Sequence, residues 1–472
     1  MIKRYLMTAA ALALAGCAAV GPNYRAPSPV VPSSWYQVGA DGGVARGVAA
    51  GDLGRWWRGF DDPLLSDLVE QALRAGLDVR VAQARLRDAR ARRTVAGAGR
   101  FPGATASGAA SRTESGGATR DVFRAGFDAS WELDVFGGVR RGIEAADADL
   151  ESTQASLHNA QVSLVAEVAL NYVEVRAFQT RLGIARENLA MQSETRQLTA
   201  WRAQAGLVSN QDVEQARSNL EQTRAQIPSL ETGLAEAEHR LAILLGAAPG
   251  SLHDRLATSR GLPALPAQVA VGIPADTLRQ RPDVRTAERK LAAETARVGQ
   301  AEAARYPSFN LSGSIGLEAL TLGALGSDPT RTSSLLAGIS GPIFDGGRLR
   351  AQVEIQDALR EQALANYEQT VLSALEEVEN ALVALSRNRE REQALVNATE
   401  ASRNAALLAR DRYSAGLIDF QSVLDTQRSV LSVEDSLAST RADGVSTLVR
   451  LYKALGGGWT PEDHPVNSKE PS

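Results

Sequence analysis

The chain has 472 residues, of which 44% are hydrophobic, 22% charged and 5% aromatic, with 51 Lys and Arg against 55 Asp and Glu. A formal charge of -4 and a mean hydropathy of -0.18 exclude a polytopic helical membrane protein and a strongly basic nucleic-acid binder. One cysteine excludes a disulfide framework and thiolate zinc or iron–sulfur sites. The four histidines, His158, His239, His253 and His464, have no metal-ligand spacing, and the carboxylates are dispersed. Neither a metal site, a cofactor nor an enzyme is expected, and no GxxxxGK[ST] loop is present to bind nucleotide. Length alone suggests about three domains.

Residues 1–16 read as an export signal: Lys3 and Arg4 precede a short apolar stretch that ends in small residues. This stretch is too short for a spanning helix. Leu14-Ala15-Gly16-Cys17 resembles a bacterial lipobox, in which the thiol receives a diacylglycerol and the signal is cut before the cysteine. The alternative is an ordinary signal with a chance cysteine. Acyl chains on Cys17 would anchor the protein firmly, at about 0.8 kcal/mol per buried methylene. Ala18 follows, in place of the Asp that favours inner-membrane retention. Residues 17–55, rich in Pro, Gly and Ser, read as a lipidated tether.

From there the chain repeats itself at an offset that grows from 205 to 210 residues. Leu77-Asp78-Val79-Arg80 recurs as Pro282-Asp283-Val284-Arg285, and Phe101-Pro102 as Tyr306-Pro307. Gly137-Gly138 recurs as Gly346-Gly347, Asn171 as Asn380, Ala205-Gly206-Leu207 as Ala415-Gly416-Leu417, and Leu245-Gly246 as Leu455-Gly456. Matches in one order indicate one unit used twice, in residues 56–260 and 261–459, with residues 460–472 as a tail.

Each copy reads as helices, a strand hairpin (residues 101–136 and 307–344), a long helix (139–205 and 348–415) and a shorter one (210–245 and 422–455). Residues 348–415 contain neither Gly nor Pro, and at 1.5 Å per residue each long helix extends roughly 100 Å. Val371, Leu375, Val378, Leu382 and Leu385 follow the 4-3-4-3 spacing of a coiled-coil seam. Gly206 and Gly416 read as turn glycines that supply the left-handed conformation between helices.

In residues 123–135 the period changes to two: Phe123, Phe127, Trp131, Leu133 and Val135 alternate with Arg124, Asp128, Ser130, Glu132 and Asp134. Phe309, Leu311, Ile315 and Leu317 alternate in the same way, and residues 111–120 and 321–332 read as exposed loops. Such strands suit a membrane barrel with a polar lumen. Four strands are too few to enclose one, since about eight is the minimum. Either the sheet is soluble, or several copies close one barrel, with two and three copies both open at this point.

Together with the repeat, the lipobox and the helix lengths, three local marks resemble the TolC-like outer membrane factors, in particular the NodT-type lipoprotein branch serving resistance-nodulation-division (RND) efflux pumps. They are Trp56-Trp57 before Phe60-Asp61-Asp62-Pro63-Leu64, Arg281-Pro282-Asp283-Val284, and Tyr413 to Gly416 leading to Val423-Leu424-Asp425 with Gln427-Arg428.

The resemblance implies an α+β membrane protein: a homotrimeric outer-membrane β-barrel with four strands per chain. It is continued by a long periplasmic α-helical barrel and girdled by a mixed equatorial domain. The girdle would come from residues 64–75, 249–280 and the C-terminus. The implied function is a passive exit duct of a tripartite pump, working with a periplasmic adaptor, an inner-membrane RND pump and outer-membrane lipid. The implied periplasmic gate is Asp425, Arg428 and Gln421, locked by a hydrogen bond between Tyr413 and Asp212. Ser422, Ile418 and Gln421 depart from the family pattern at the gate, and Gly76 stands for an Asn in a change that reads as structurally minor. The competing reading is a periplasmic structural or adaptor lipoprotein.

Overall fold

The computed structural model describes residues 19–29, 31–36, 44–46, 53–265, 269–327 and 330–460. The export signal, Cys17 and all but the first residue of the tail lie outside the described residues. In chain order the elements are β1 (Val44–Arg46), α1 (Pro63–Ala75), α2 (Leu77–Ala98), β2 (Gly103–Ser115), β3 (Ala118–Leu133), α3 (Gly138–Gln204), α4 (Asn210–Leu244) and the single turn α5 (His253–Leu256). There follow β4 (Val269–Val271), α6 (Pro274–Gln280), α7 (Pro282–Ala303), β5 (Ser308–Ala319), β6 (Arg331–Ser340), α8 (Arg348–Ser414) and α9 (Phe420–Ala454). The helices α2 and α7 have 22 residues each, α3 and α8 have 67, and α4 and α9 have 35. No described helix is long and apolar enough to cross a membrane.

Contacts divide the chain into two compact units, and each draws on both halves of the sequence because the long helices run through both. The first comprises Met1–Pro29, Ala84–Ala155 and Arg285–Thr370. It holds an antiparallel sheet in the order β2-β3-β5-β6. Residues paired across an antiparallel ladder share a face. The register therefore gathers Ala106, Phe127 and Ile315 on one face, with Trp131, Leu311 and Ala337 beside them. Ser107, Gly126 and Gly316 lie on the other face, as do Asp128, Ser314 and Ser334. Phe127, Ile315 and Leu335 are 65, 65 and 79% exposed, so the chain does not cover its own apolar face.

The first hairpin corrects the expected loop at residues 111–120. Its strands continue until Ser115 pairs with Ala118, leaving Gly116 and Gly117 as the whole turn, at φ +59° and +82°. Two successive left-handed residues match the twist of the flanking strands. The polar residues read as a loop are instead strand residues beyond the apolar face, among them Arg112, which pairs with Asp121 at 2.7 Å.

At the foot of the sheet, carboxylates start the long helices. Asp134 accepts the Val139 and Arg140 amides at 3.0 and 2.8 Å, and Asp345 accepts those of Gly347 and Leu349 at 2.9 and 2.8 Å. The N-terminal segment is strapped beside this foot. Buried Arg141 donates to the Val20 and Gly21 carbonyls at 3.0 and 3.2 Å and to Asn23 at 2.8 Å.

The second unit comprises Val30–Gln83, Ser156–Val284 and Val371–Ser472. It explains two of the sequence marks as structural. Asp62 caps α1, its Oδ1 accepting the Leu64 and Leu65 amides at 2.9 and 3.2 Å, while Oδ2 accepts the hydroxyl of fully buried Tyr172. Trp56, Trp57 and Phe60 are buried just before this cap, Trp56 stacking on Tyr452 at 5.2 Å. Arg281 joins three elements: its guanidinium binds Asp283 at 3.0 and 2.6 Å, Glu377 at 2.8 Å and the Ala454 carbonyl at 2.8 Å. A short parallel pair, β1 with β4, completes this region.

Two expectations change here. Gly76 is not a minor departure: a Cβ on it would lie 2.6 Å from the Ala72 carbonyl and 2.8 Å from Leu164. The seam of α8 buries Ala374 between Val371 and Val378, with Leu375 only half-buried, since the smaller side chain permits closer helix approach.

Burial, followed by the hydrogen bond to Asp62, pushes the Tyr172 phenol from 10.0 up to about 12. A raised folded-state pKa contributes stability that is full below the unfolded value and is lost as pH rises through the folded one. Helical circular dichroism in denaturant should therefore show stability falling between pH 10 and about 12, with Tyr172→Phe removing part of that fall. At neutral pH the variant should lose up to about 1.5 kcal/mol.

Candidate functional site at the helical hairpin tips

The long helices turn back through two like devices. In the first, Gly206 at φ +71° lets its amide reach the Ala203 carbonyl and the Leu207 amide reach that of Arg202, both at 2.9 Å. In the second, Gly416 at φ +78° does the same with Tyr413 and Arg412. These are Schellman closures, which need a residue tolerant of positive φ. The return helices are capped in turn. Ser209 and Asp212 form a capping box on α4, and Asp419 accepts the Ser422 amide and hydroxyl at 3.0 and 2.6 Å on α9. Those two bonds hold the Asp419 carboxyl below the usual carboxylate range. The cap also explains why α9 begins at Phe420 and not at the expected residue 422.

Between the turns lies a small core of Ala216, Ala409, Tyr413, Phe420, Val423 and Leu424, against which Leu198, Val208 and Ile418 pack. Tyr413 is 1% exposed. Its hydroxyl meets Thr199 Oγ1 at 3.4 Å, while the Arg202 guanidinium lies 4.5 Å from its ring centroid and donates to its carbonyl. The expected Tyr413–Asp212 bond is therefore not made within the chain. The Asp212 carboxylate accepts the Ser209 amide and hydroxyl, each at 3.0 Å, and is occupied as a cap.

Of the gate residues, Gln421 and Asp425 come together on the exposed face of α9, with Gln421 donating to Asp425 at 2.9 Å. Arg428 turns away to α4 and donates to Asn219 at 3.1 Å.

Sequence reasoning missed the inner wall of these hairpins. Asn188, Gln192, Thr195 and Thr199 on α3 are buried at a 4-3-4 spacing, where a coiled-coil seam would carry apolar side chains. Asn188 donates to Glu434 at 3.0 Å, and Arg403 reaches the other oxygen of Glu434 at 2.6 Å. Thr195 accepts from Gln427 at 2.7 Å, and Thr199 meets Tyr413. The signal was present as polar residues at seam spacing, but their partners are more than two hundred residues away.

A sheet greasy on one face, joined to paired 67- and 35-residue helices closed by capped turns, defines a class: channel proteins of the outer membrane that reach into the periplasm. The model of the outer membrane efflux protein family matches residues 68–247 and 273–457, and the chain belongs to that family. It is 36% identical over 469 residues to nodulation protein T of Rhizobium leguminosarum bv. trifolii, covering 97% of this chain and 98% of that one. It is 32% identical over 470 residues to the antibiotic efflux pump outer membrane protein ArpC of Pseudomonas putida, covering 97% and 96%.

Among solved structures, the outer-membrane channel OprN superposes with a TM-score of 0.89 at 40% identity, covering 94% of this chain and all of that one. The open MtrE channel of Neisseria gonorrhoeae gives 0.82 at 28%, covering 95% and 100%. The Campylobacter jejuni CmeC channel, at 21% identity and a TM-score of 0.86, shares the fold over 94% and 96%. The family is one of TolC-like channels and not of enzymes.

Arg202 contributes a cation–π contact and a charged hydrogen bond, together about 2 kcal/mol. Arg202→Ala should speed amide exchange in residues 410–420 by roughly thirtyfold, with the far ends of α8 and α9 unaffected. Unchanged protection would show that Arg202 does not hold the tip.

Proposed function

We propose that three copies of this chain form the exit duct of a tripartite efflux pump. The carrying observation is the sheet: four strands with one apolar face, whose outer strands β2 and β6 each pair on one side only among the described residues. Three such sheets close a barrel of twelve strands, within the range seen for membrane barrels. The second copy of each element in the chain is then an internal repeat, and the ring is built from six like hairpins. The polar face lines the lumen, and the apolar face meets lipid.

In this reading the duct is passive. An inner-membrane RND pump supplies the energy, and a periplasmic adaptor joins pump to duct. Leu207 and Leu417, 66 and 73% exposed at the hairpin turns, give the adaptor an apolar surface to dock on. Small toxic molecules or drugs leave without chemical change. Acyl chains on Cys17 add an outer-membrane anchor, and the strap held by Arg141 supports that role by fixing the chain a few residues later beside the sheet's foot.

Asp425 lies on the exposed face of α9 near the tip, so three copies around an axis would set like charges together and form a ring that attracts cations. The closed state is held by the Arg202–Tyr413–Thr199 contacts within each chain.

In planar bilayers, Asp425→Asn should lower cation preference, and Asp425→Asn combined with Arg202→Ala should raise conductance several-fold. Unchanged conductance and selectivity would remove Asp425 from the gate. Cys17→Ala should abolish palmitate labelling while leaving heat-modifiable oligomers. Continued labelling would contradict lipidation at Cys17.

A further inference from the structure

Each strand of the membrane sheet meets its helix through an aromatic residue and an arginine. Arg100-Phe101 stand immediately before β2, and Arg305-Tyr306 before β5. Phe136 and Arg140 follow β3, and Phe344 and Arg348 follow β6. Phe101, Tyr306 and Phe344 are 72, 45 and 91% exposed, and the Phe136 ring stacks on Tyr306 at 4.6 Å. Trp131, one face of the sheet away from the lumen, donates its indole N–H to the Arg100 carbonyl at 3.0 Å. Aromatic side chains at this level mark the boundary between hydrocarbon and headgroups.

The arginines at this boundary are not equivalent. Arg140 is tied to Asp134 at 3.3 Å. Arg100, Arg305 and Arg348 are exposed and form no ion pair among the described residues. Asp345, close to Arg348, accepts the Gly347 and Leu349 amides with its two oxygens. Asp345 attracts Arg348 without contacting it, so the three guanidinium groups stand at the sheet's foot with no carboxylate in contact, and a guanidinium matches phosphate oxygens in charge and in its planar fork of donors.

We propose that Arg100, Arg305 and Arg348 form a collar that binds the phosphate groups of anionic phospholipid in the periplasmic leaflet. The proposal rests on the sheet spanning the membrane. The aromatic side chains fix the depth of the collar, and the guanidinium groups select lipid by charge. The sheet's foot is thereby held at the leaflet surface while the helices beyond it move. Anionic lipid is favoured over zwitterionic lipid because each basic residue near an anionic surface contributes about fivefold in binding.

The test uses the full-length protein in non-ionic detergent, titrated with phosphatidylglycerol or phosphatidylcholine, with bound lipid counted by native mass spectrometry. The wild type should retain phosphatidylglycerol at least about tenfold better than phosphatidylcholine. The triple variant Arg100→Gln, Arg305→Gln, Arg348→Gln should lose that preference, and the corresponding triple Lys variant should keep most of it. Each single Gln variant, less exposed to assembly defects, should lose about fivefold. An unchanged preference in the Gln variants, or none in the wild type, overturns the collar. Displacement of the phospholipid by an equal concentration of a soluble cell-wall muropeptide would overturn lipid as its occupant. Heat-modifiable oligomer migration, recorded for every variant, reports separately on the membrane sheet itself.

Discussion

Inside hydrocarbon every backbone N–H and C=O needs a partner, because no water is present to supply one and each orphan group costs several kcal/mol. The interior strands meet this demand on both sides, β3 from Phe123 to Ser130 and β5 from Phe309 to Leu317. The outer strands β2 and β6 meet it on one side within the chain. In the proposed duct, association of copies edge to edge meets that shortfall and gives the long helices their role. Gly138 and Arg348 start helices shortly after strands end, so a barrel closed by three copies, as proposed, would set those helices in a ring around a passage.

The two long helices carry apolar and polar stretches of buried seam at different distances from the hairpin turns. Along α8 the buried line is Val371, Ala374, Val378, Leu382 and Leu385, an apolar seam that resists separation. Along the lower part of α3 the line is Asn188, Gln192, Thr195 and Thr199, of which Asn188, Thr195 and Thr199 bond to Glu434, Gln427 and Tyr413 of the second hairpin. Hydrogen bonds between side chains can exchange partners or water, whereas a vacated apolar seam leaves cavities at a higher cost. Both lines lie in the second unit, the polar one beside the hairpin turns and the apolar one farther along the helices from them. The Arg202 guanidinium on the Tyr413 ring is the outermost of these contacts, next to the turns.

Much of this was legible from residue pattern because the deciding interactions are local. A tract without Gly or Pro ends where Gly206 or Gly416 permits a left-handed turn, and alternation at Phe123, Phe127 and Trp131 reports a two-faced strand. The first hairpin was misread for a physical reason: residues 111–120 are polar because they lie beyond the apolar face, yet their backbone pairs across Gly116-Gly117. Distant contacts left weaker traces. Nothing near Tyr413 in sequence indicates Thr199 or Arg202 as its neighbours, nor does anything near Asp62 announce Tyr172. Gly76 seemed neutral as a residue type and is constrained by Leu164, the Leu244 carbonyl and its own helix.

The claim on which the rest depends is that the sheet's free edges are closed by other copies of the same chain. Cysteines introduced along the outer edges of β2 and β6 can be oxidised in isolated outer membranes and the products separated in denaturant. The account predicts cross-links between chains, in a ladder that stops at three. Cross-links confined within single chains, or a ladder that passes or falls short of three, would contradict it.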